Sequence, residues 1–225
     1  MNEFVDPHDR ELILGSMRRW LVGEPVPTHD EILASWGEEF LMYRIAWDMG
    51  RHDHSSFERR MAIGALRDEA ILEFGFAIPC RELLDALARY QPILEIGAGT
   101  GYLTALMRHY GIDVVGSNPV YDEYRFENGR YDPAQLRLEG KTAVRRYPDR
   151  TVFCSWPSLD ATWFRQAMRA MRIGQQLIVI EEDACSEDTT WAYRDAAFKH
   201  LENVKLPAWP YMNDRLSVWR RRVIR

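Results

Sequence analysis

A doubly wound α/β fold with a mostly parallel sheet is predicted for this 225-residue chain. Three observations predict it. From residue 91 onward, short apolar runs alternate with stretches of helical periodicity, the pattern of strands joined by crossover helices. The first run ends in a glycine-rich turn, Gly97-Ala98-Gly99-Thr100-Gly101, that opens a helix. The last two runs are joined by a connector, 209–215, too short for a crossover helix, so that pair must be antiparallel. The expected sheet has about seven strands, the last of them antiparallel, behind an N-terminal helical appendage. The expected division is 1–90 for the appendage, as an extension or lid, and 91–225 for the α/β domain.

The appendage reads as helices throughout. Leu12, Ile13, Met17, Trp20 and Leu21 recur at helical spacing, and Gly23, Pro25 and Pro27 break the run. Thr28 with Glu31 has the form of a capping box, in which two side chains satisfy orphan backbone donors. An apolar stripe of Ile32, Leu33, Trp36, Phe40, Tyr43 and Trp47 follows. Ser55 with Glu58 repeats the capping pattern ahead of a third helix through Met61, Leu66, Ala70 and Phe74. Pro79 suits the first turn of a fourth helix, where its missing N–H costs nothing, and Leu83, Leu84 and Leu87 form that helix's buried face.

The α/β part begins with the run 92–96. A helix over 100–110, closed by Gly111, leads to a second strand over 112–115. Residues 117–135 are turn-rich and read as a long loop, with a short third strand at 136–138. A strand at 151–154, a helix over 160–171 and a strand at 176–180 come next. A helix is expected over 187–201, capped by Ser186 or Asp188, and strands over 204–208 and 216–223 close the chain.

Composition narrows the function. The 46% apolar and 28% charged residues describe a globular chain able to fold on its own core. A net charge of −5 argues against a domain built to hold phosphate backbones, so nucleic acid is an unexpected partner. Cys80, Cys154 and Cys185 are too few and too scattered for a zinc site or a disulfide framework, and His52 with His54 alone makes a poor metal site. No metal is expected. No run approaches the ~18 apolar residues of a membrane span, and the acidic start MNEFVDPHDR lacks a leader's apolar stretch. The expectation is a cytoplasmic protein.

The chemistry is expected at the glycine turn. In an open α/β sheet, ligands bind beyond the carboxyl ends of the strands, where the strand order reverses. Glycines allow left-handed backbone and close approach of a ligand, and the following helix points its amino end at the same place. The spacing is G-x-G-x-G with Glu95 two residues before it. A dinucleotide fingerprint would need glycine where Tyr102 stands, and no Walker-type lysine follows.

The segment 93–103, ILEIGAGTGYL, resembles the first motif of class I S-adenosylmethionine-dependent methyltransferases. Phe76-Ala77-Ile78-Pro79 and Trp156-Pro157 are similar to stretches in a little-characterised bacterial branch of that superfamily. The resemblance implies a Rossmann-like methyltransferase fold with S-adenosylmethionine as cofactor. It implies that Gly97, Ala98, Gly99, Thr100 and Gly101 carry the methionine part and that Glu95 orients its amino group. Tyr102 either covers the cofactor or packs against the first helix. The family's ribose-binding carboxylate is replaced here by Asn118, so Ser117 and Asn118 form a neutral ribose pocket or a weakened one. Lys141 stands where an adenine-reading acid is common, with Glu139 nearby.

The substrate side is expected at 154–158. Trp156 replaces the carbonyl-bearing residue that orients an amino nucleophile in nucleic-acid and glutamine N-methyltransferases, which favours a small-molecule substrate. Trp156 either stacks on a planar group or is a core residue under the appendage. Glu181, Glu182 and Asp183 read as a solvated strand end before a catalytic base. Arg220, Arg221, Arg222 and Arg225, with Lys205 and Arg215, read as the solvated face of the last strand, or as a rim for an acidic partner. Two rival functions follow from the departures. One is a cofactor-degenerate member serving as a binding or scaffold module. The other is a nicotinamide-dependent oxidoreductase.

Overall fold

The computed structural model describes residues 7–36, 54–119, 127–157, 162–182, 197–209 and 212–223, with the backbone alone of 36 and 54–60. Helices α1 (Pro7–Arg10) and α2 (Ser16–Leu21) are joined by a π-helical turn, Glu11–Gly15; α3 (His29–Trp36), α4 (His54–Phe74) and α5 (Arg81–Arg89) follow. The α/β part runs β1 (Ile93–Ile96), α6 (Tyr102–His109), β2 (Val114–Ser117), α7 (Gly140–Arg146), β3 (Thr151–Ser155), α8 (Thr162–Ala170), β4 (Gln176–Glu182), β5 (Phe198–Lys205) and β6 (Asp214–Arg221).

Six strands form one sheet in the order β2-β1-β3-β4-β6-β5. The first four are parallel; β6 is antiparallel to both β4 and β5. The fold is therefore the predicted mixed α/β sheet with an antiparallel end pair, one strand short of the expected seven. The missing strand is the one expected at 136–138. Only an isolated parallel bridge forms there, between Ser117 and Leu136.

Alternation along the strands creates two cores. Ile93, Phe153, Ile178, Ile180 and Val218 face one side, against α2, α4, α5 and α6. Leu94, Ile96, Val152, Cys154, Leu177 and Val179 face the other, against α7 and α8. The N-terminal helices thus share a core with the sheet: the Tyr102 hydroxyl donates to the Met17 carbonyl at 2.8 Å, and Phe74 meets the Tyr102 ring edge-on at 4.8 Å.

Several element boundaries move. The capping box forms as read: Glu31 accepts from the Thr28 N–H at 2.8 Å, and Thr28 Oγ1 accepts from the Glu31 N–H at 3.2 Å. Pro79 lies before α5 instead of inside it; Cys80 takes the capping position with extended backbone. Residues 198–201, expected to be helical, belong to β5, where pairing with β6 overrides their helical pattern and a bulge between His200 and Glu202 absorbs the mismatch. Helix α7 was not expected. Phe40, Tyr43, Trp47, His52, Asp183, Cys185, Ser186, Asp188 and Arg225 lie outside the described residues, as do the side chains of Trp36, His54, Ser55 and Glu58.

The arginines at the end of the chain are not all a solvated face. Arg221 donates from Nη1 to the carbonyls of Met168, Arg169 and Met171, closing the carboxyl end of α8, while Arg220 is exposed.

Candidate functional site

The strand order reverses between β1 and β3, so the cleft of an open sheet falls at the carboxyl ends of these two strands. The turn 97–101 sits there. Gly97, Gly99 and Gly101 all adopt left-handed backbone, with φ of +72°, +53° and +78°. This is why glycine occupies all three places: a Cβ strains that conformation. The Gly101 N–H donates to the Ala98 carbonyl at 2.8 Å, and the Ala98 N–H to the Ser117 carbonyl at 3.1 Å. Turn and β2 end are thereby locked together.

A strap, residues 127–136, crosses the turn. The Gly99 carbonyl accepts from the Gly129 N–H at 3.2 Å and from Gln135 Nε2 at 3.1 Å; the Thr100 carbonyl accepts from the Tyr131 N–H at 2.9 Å. Asp132 packs so closely that a Cβ on Gly101 would lie 2.8 Å from its own. The Thr100 hydroxyl, by contrast, is buried with no hydrogen-bond partner among the described residues, as is that of Ser155 at the end of β3.

Glu95 lies under the turn, on the face of β1 that meets α6. It is 2% exposed and accepts from the Thr104 hydroxyl. Burial pushes its carboxyl up to about 7; the Thr104 bond and Arg108 pull against this, and the Asp132 charge adds to it. Asp132 is itself paired with Arg108 at 2.5 Å.

The remaining predicted residues are placed as follows. Tyr102 is fully buried in the helical layer, with its hydroxyl on the Met17 carbonyl. Ser117 donates from its hydroxyl to the Leu138 carbonyl at 2.8 Å, and Asn118 donates from Nδ2 to Asn128 Oδ1 at 2.7 Å. Trp156 leaves β3 with φ of +53°, a conformation a bulky residue rarely holds. Its ring stacks on Phe76 of the appendage at 5.9 Å, and its Nε1 donates to Asp214 Oδ2 at 3.3 Å. Burial, aided by nearby Glu182, pushes the Asp214 carboxyl up to about 7 against the Trp156 bond and Arg67. Glu181 corrects the picture of a solvated strand end: it is 4% exposed and faces Arg215 at 3.7 Å.

Sequence reasoning missed Trp163, Asp132 and Asp214. The Trp163 ring lies between the turn and the start of α7: it would meet a Cβ placed on Gly97 at 3.1 Å and one placed on Gly140 at 3.3 Å. A signal for it existed, since the first turn of a helix following a parallel strand lies at the carboxyl edge. Asp132 and Asp214 carry no such mark. Among the described residues no group of three metal-ligating side chains could hold an ion, and no helix is long and apolar enough to cross a membrane.

No protein-family model matches the sequence, and no curated protein matches it. Solved structures do. Cofactor-bound Rv0187 from MTB is 15% identical, with 73% of this chain and 90% of that one covered and a TM-score of 0.47. A SAM-dependent methyltransferase from Aquifex aeolicus is 16% identical, covering 75% and 99%, with a TM-score of 0.43. An rRNA methylase from Streptococcus thermophilus is 12% identical, covering 65% and 100%, with a TM-score of 0.45.

Proposed function

We propose that this chain binds S-adenosylmethionine by its amino-acid end at the turn 97–101 and directs its methyl group to a small molecule. The observation that carries the reading is the run of three left-handed glycines at the strand-order reversal, beside a buried Thr100 hydroxyl that no group among the described residues satisfies. A buried polar atom without a partner is costly, and a ligand's carboxylate or ammonium group removes that cost. The glycines keep the turn bare of side chains of its own, with the Trp163 ring across Gly97. The cofactor supplies an activated methyl group on a sulfonium, so the protein's task is alignment and exclusion of water. The net charge of −5 and the tryptophan at 156 favour a small acceptor over a polynucleotide.

A second reading has its own observation. The Asn118 amide is engaged by Asn128, and the strap holds two carbonyls of the turn. Both features suit a fold member that keeps the turn closed and serves as a binding module.

Calorimetry with S-adenosylhomocysteine separates the two. Binding is expected, and Gly99→Val should abolish it while circular dichroism shows the fold retained. Asn118→Asp should tighten binding about fivefold by adding charge to the ribose contact. Absence of heat and of any thermal shift at millimolar ligand, in both wild type and Asn118→Asp, would reject the cofactor reading and leave the binding module. With isotopically labelled methyl donor and cell extract, label is expected in the small-molecule fraction; label confined to RNA would overturn the substrate class.

A further inference from the structure

On the outer side of α6, between α2, the end of α4 and the strap, lies a groove of about 730 Å³ whose polar lining is Arg18, Glu73, Arg108, His109, Arg130 and Tyr131. Three guanidinium groups therefore meet a single lining carboxylate. That carboxylate is already saturated. Arg18 donates to it from Nε at 2.8 Å and from Nη2 at 2.6 Å, and the Tyr131 hydroxyl donates at 3.0 Å. Burial alone would raise the Glu73 carboxyl, yet these bonds and the Arg130 charge hold it below its ordinary range. Arg108 is spent on Asp132, which is 1% exposed and sits behind it.

Arg130 is different. Its ion pairs are long, 3.9 Å to Glu73 and 3.8 Å to Glu127, and its guanidinium rests over the Tyr131 ring at 5.3 Å. The side chains of Arg18, Arg108 and Arg130 are 47%, 40% and 43% exposed where they line the groove. The apolar lining is Leu21, Val22 and Ala105.

We propose that this groove binds a small phosphorylated molecule, its phosphate held by Arg130 together with Arg18 and its organic part against Leu21, Val22 and Ala105. Guanidinium forks match phosphate, which offers more acceptor oxygens than the two of a carboxylate, so Arg130 and Arg18 can both donate to it without competing. The size favours a free small ligand. The volume falls within the roughly 300–1,000 Å³ of small-molecule pockets, while a polynucleotide needs an extended basic track that a chain of net charge −5 is not expected to carry. This site does not depend on the methyl donor.

The test uses the full chain with two probes, adenosine monophosphate and inorganic pyrophosphate, by calorimetry and phosphorus NMR at moderate ionic strength. Both are expected to bind. Arg130→Ala should weaken binding at least about tenfold, the loss of one charge-assisted contact, and Arg145→Ala, an exposed arginine on α7 beyond the other face of the sheet, should change nothing. Arg130→Gln is the companion variant, with thermal unfolding reporting that both keep the fold. The proposal is overturned if neither probe binds at millimolar concentration, or if both Arg130 variants bind as wild type does. It is also overturned if a single-stranded oligonucleotide binds through Arg130 and the small probes do not.

Discussion

Replacing Glu95 by glutamine should make the protein less sensitive to pH, and at alkaline pH more stable. The wild-type carboxyl is buried, shares its surroundings with Asp132 and Arg108, and is pushed from 4.5 up to about 7 by burial above all. A folded-state value above the unfolded one means that the folded chain holds the proton more tightly. The associated stability is fully present below pH 4.5 and is lost as pH rises through about 7. At about 1.4 kcal/mol per unit, a rise from 4.5 to about 7 corresponds to a loss on the order of 3 kcal/mol between pH 4.5 and pH 8. Glutamine keeps an acceptor for the Thr104 hydroxyl and removes the charge. Urea midpoints for wild type and Glu95→Gln at pH 5 and pH 8 measure the difference directly. Asp214 titrates over the same window for the same leading reason, so the comparison with the variant, and not the wild-type slope alone, isolates Glu95. Equal pH sensitivity in the two proteins would refute the assignment of a buried proton to this carboxyl.

Two further outcomes are expected. Arg221→Ala should destabilise the fold by about 1–3 kcal/mol, because three carbonyls at the end of α8 lose one charged donor; chemical denaturation checks this, and Arg220→Ala on the exposed neighbour should cost little. Gly101→Ala should cost about 2 kcal/mol, since its φ of +78° strains an alanine and the added Cβ meets Asp132 at 2.8 Å. Faster amide hydrogen exchange at Gly129 and Tyr131, whose N–H groups bond the turn, would mark displacement of the strap, and unchanged exchange there would contradict it.

The parallel strands and the glycine turn were legible because each is written in contiguous residues. Leu94 and Ile96 belong to one core and Ile93 to the other, and a short run buried on both faces reads as a central strand of a parallel sheet. The antiparallel end pair followed from connector length alone. Residues 198–201 misled because their pattern is settled by β6, fifteen or more residues away, and not by local propensity. Glu181 misled for a similar reason. In sequence it is one acid among three at a strand end, while in the fold it stands opposite Arg215.

The candidate site divides along the same line. Glycines at 97, 99 and 101 are demanded by local backbone geometry, so spacing exposes them. What surrounds them is assembled from afar: Asp132 against Gly101, Trp163 against Gly97 and Gly140, Asn128 on Asn118. None of these pairings has a sequence spacing of its own. The strap that makes them occupies the carbonyls of Gly99 and Thr100, while the Thr100 hydroxyl has no partner among the described residues. A turn sealed only for structure gains nothing from burying that hydroxyl, and a valine of similar shape would serve better there. The strap therefore fixes the turn from its carbonyl side, and the ligand proposed above would set its polar group against the Thr100 hydroxyl.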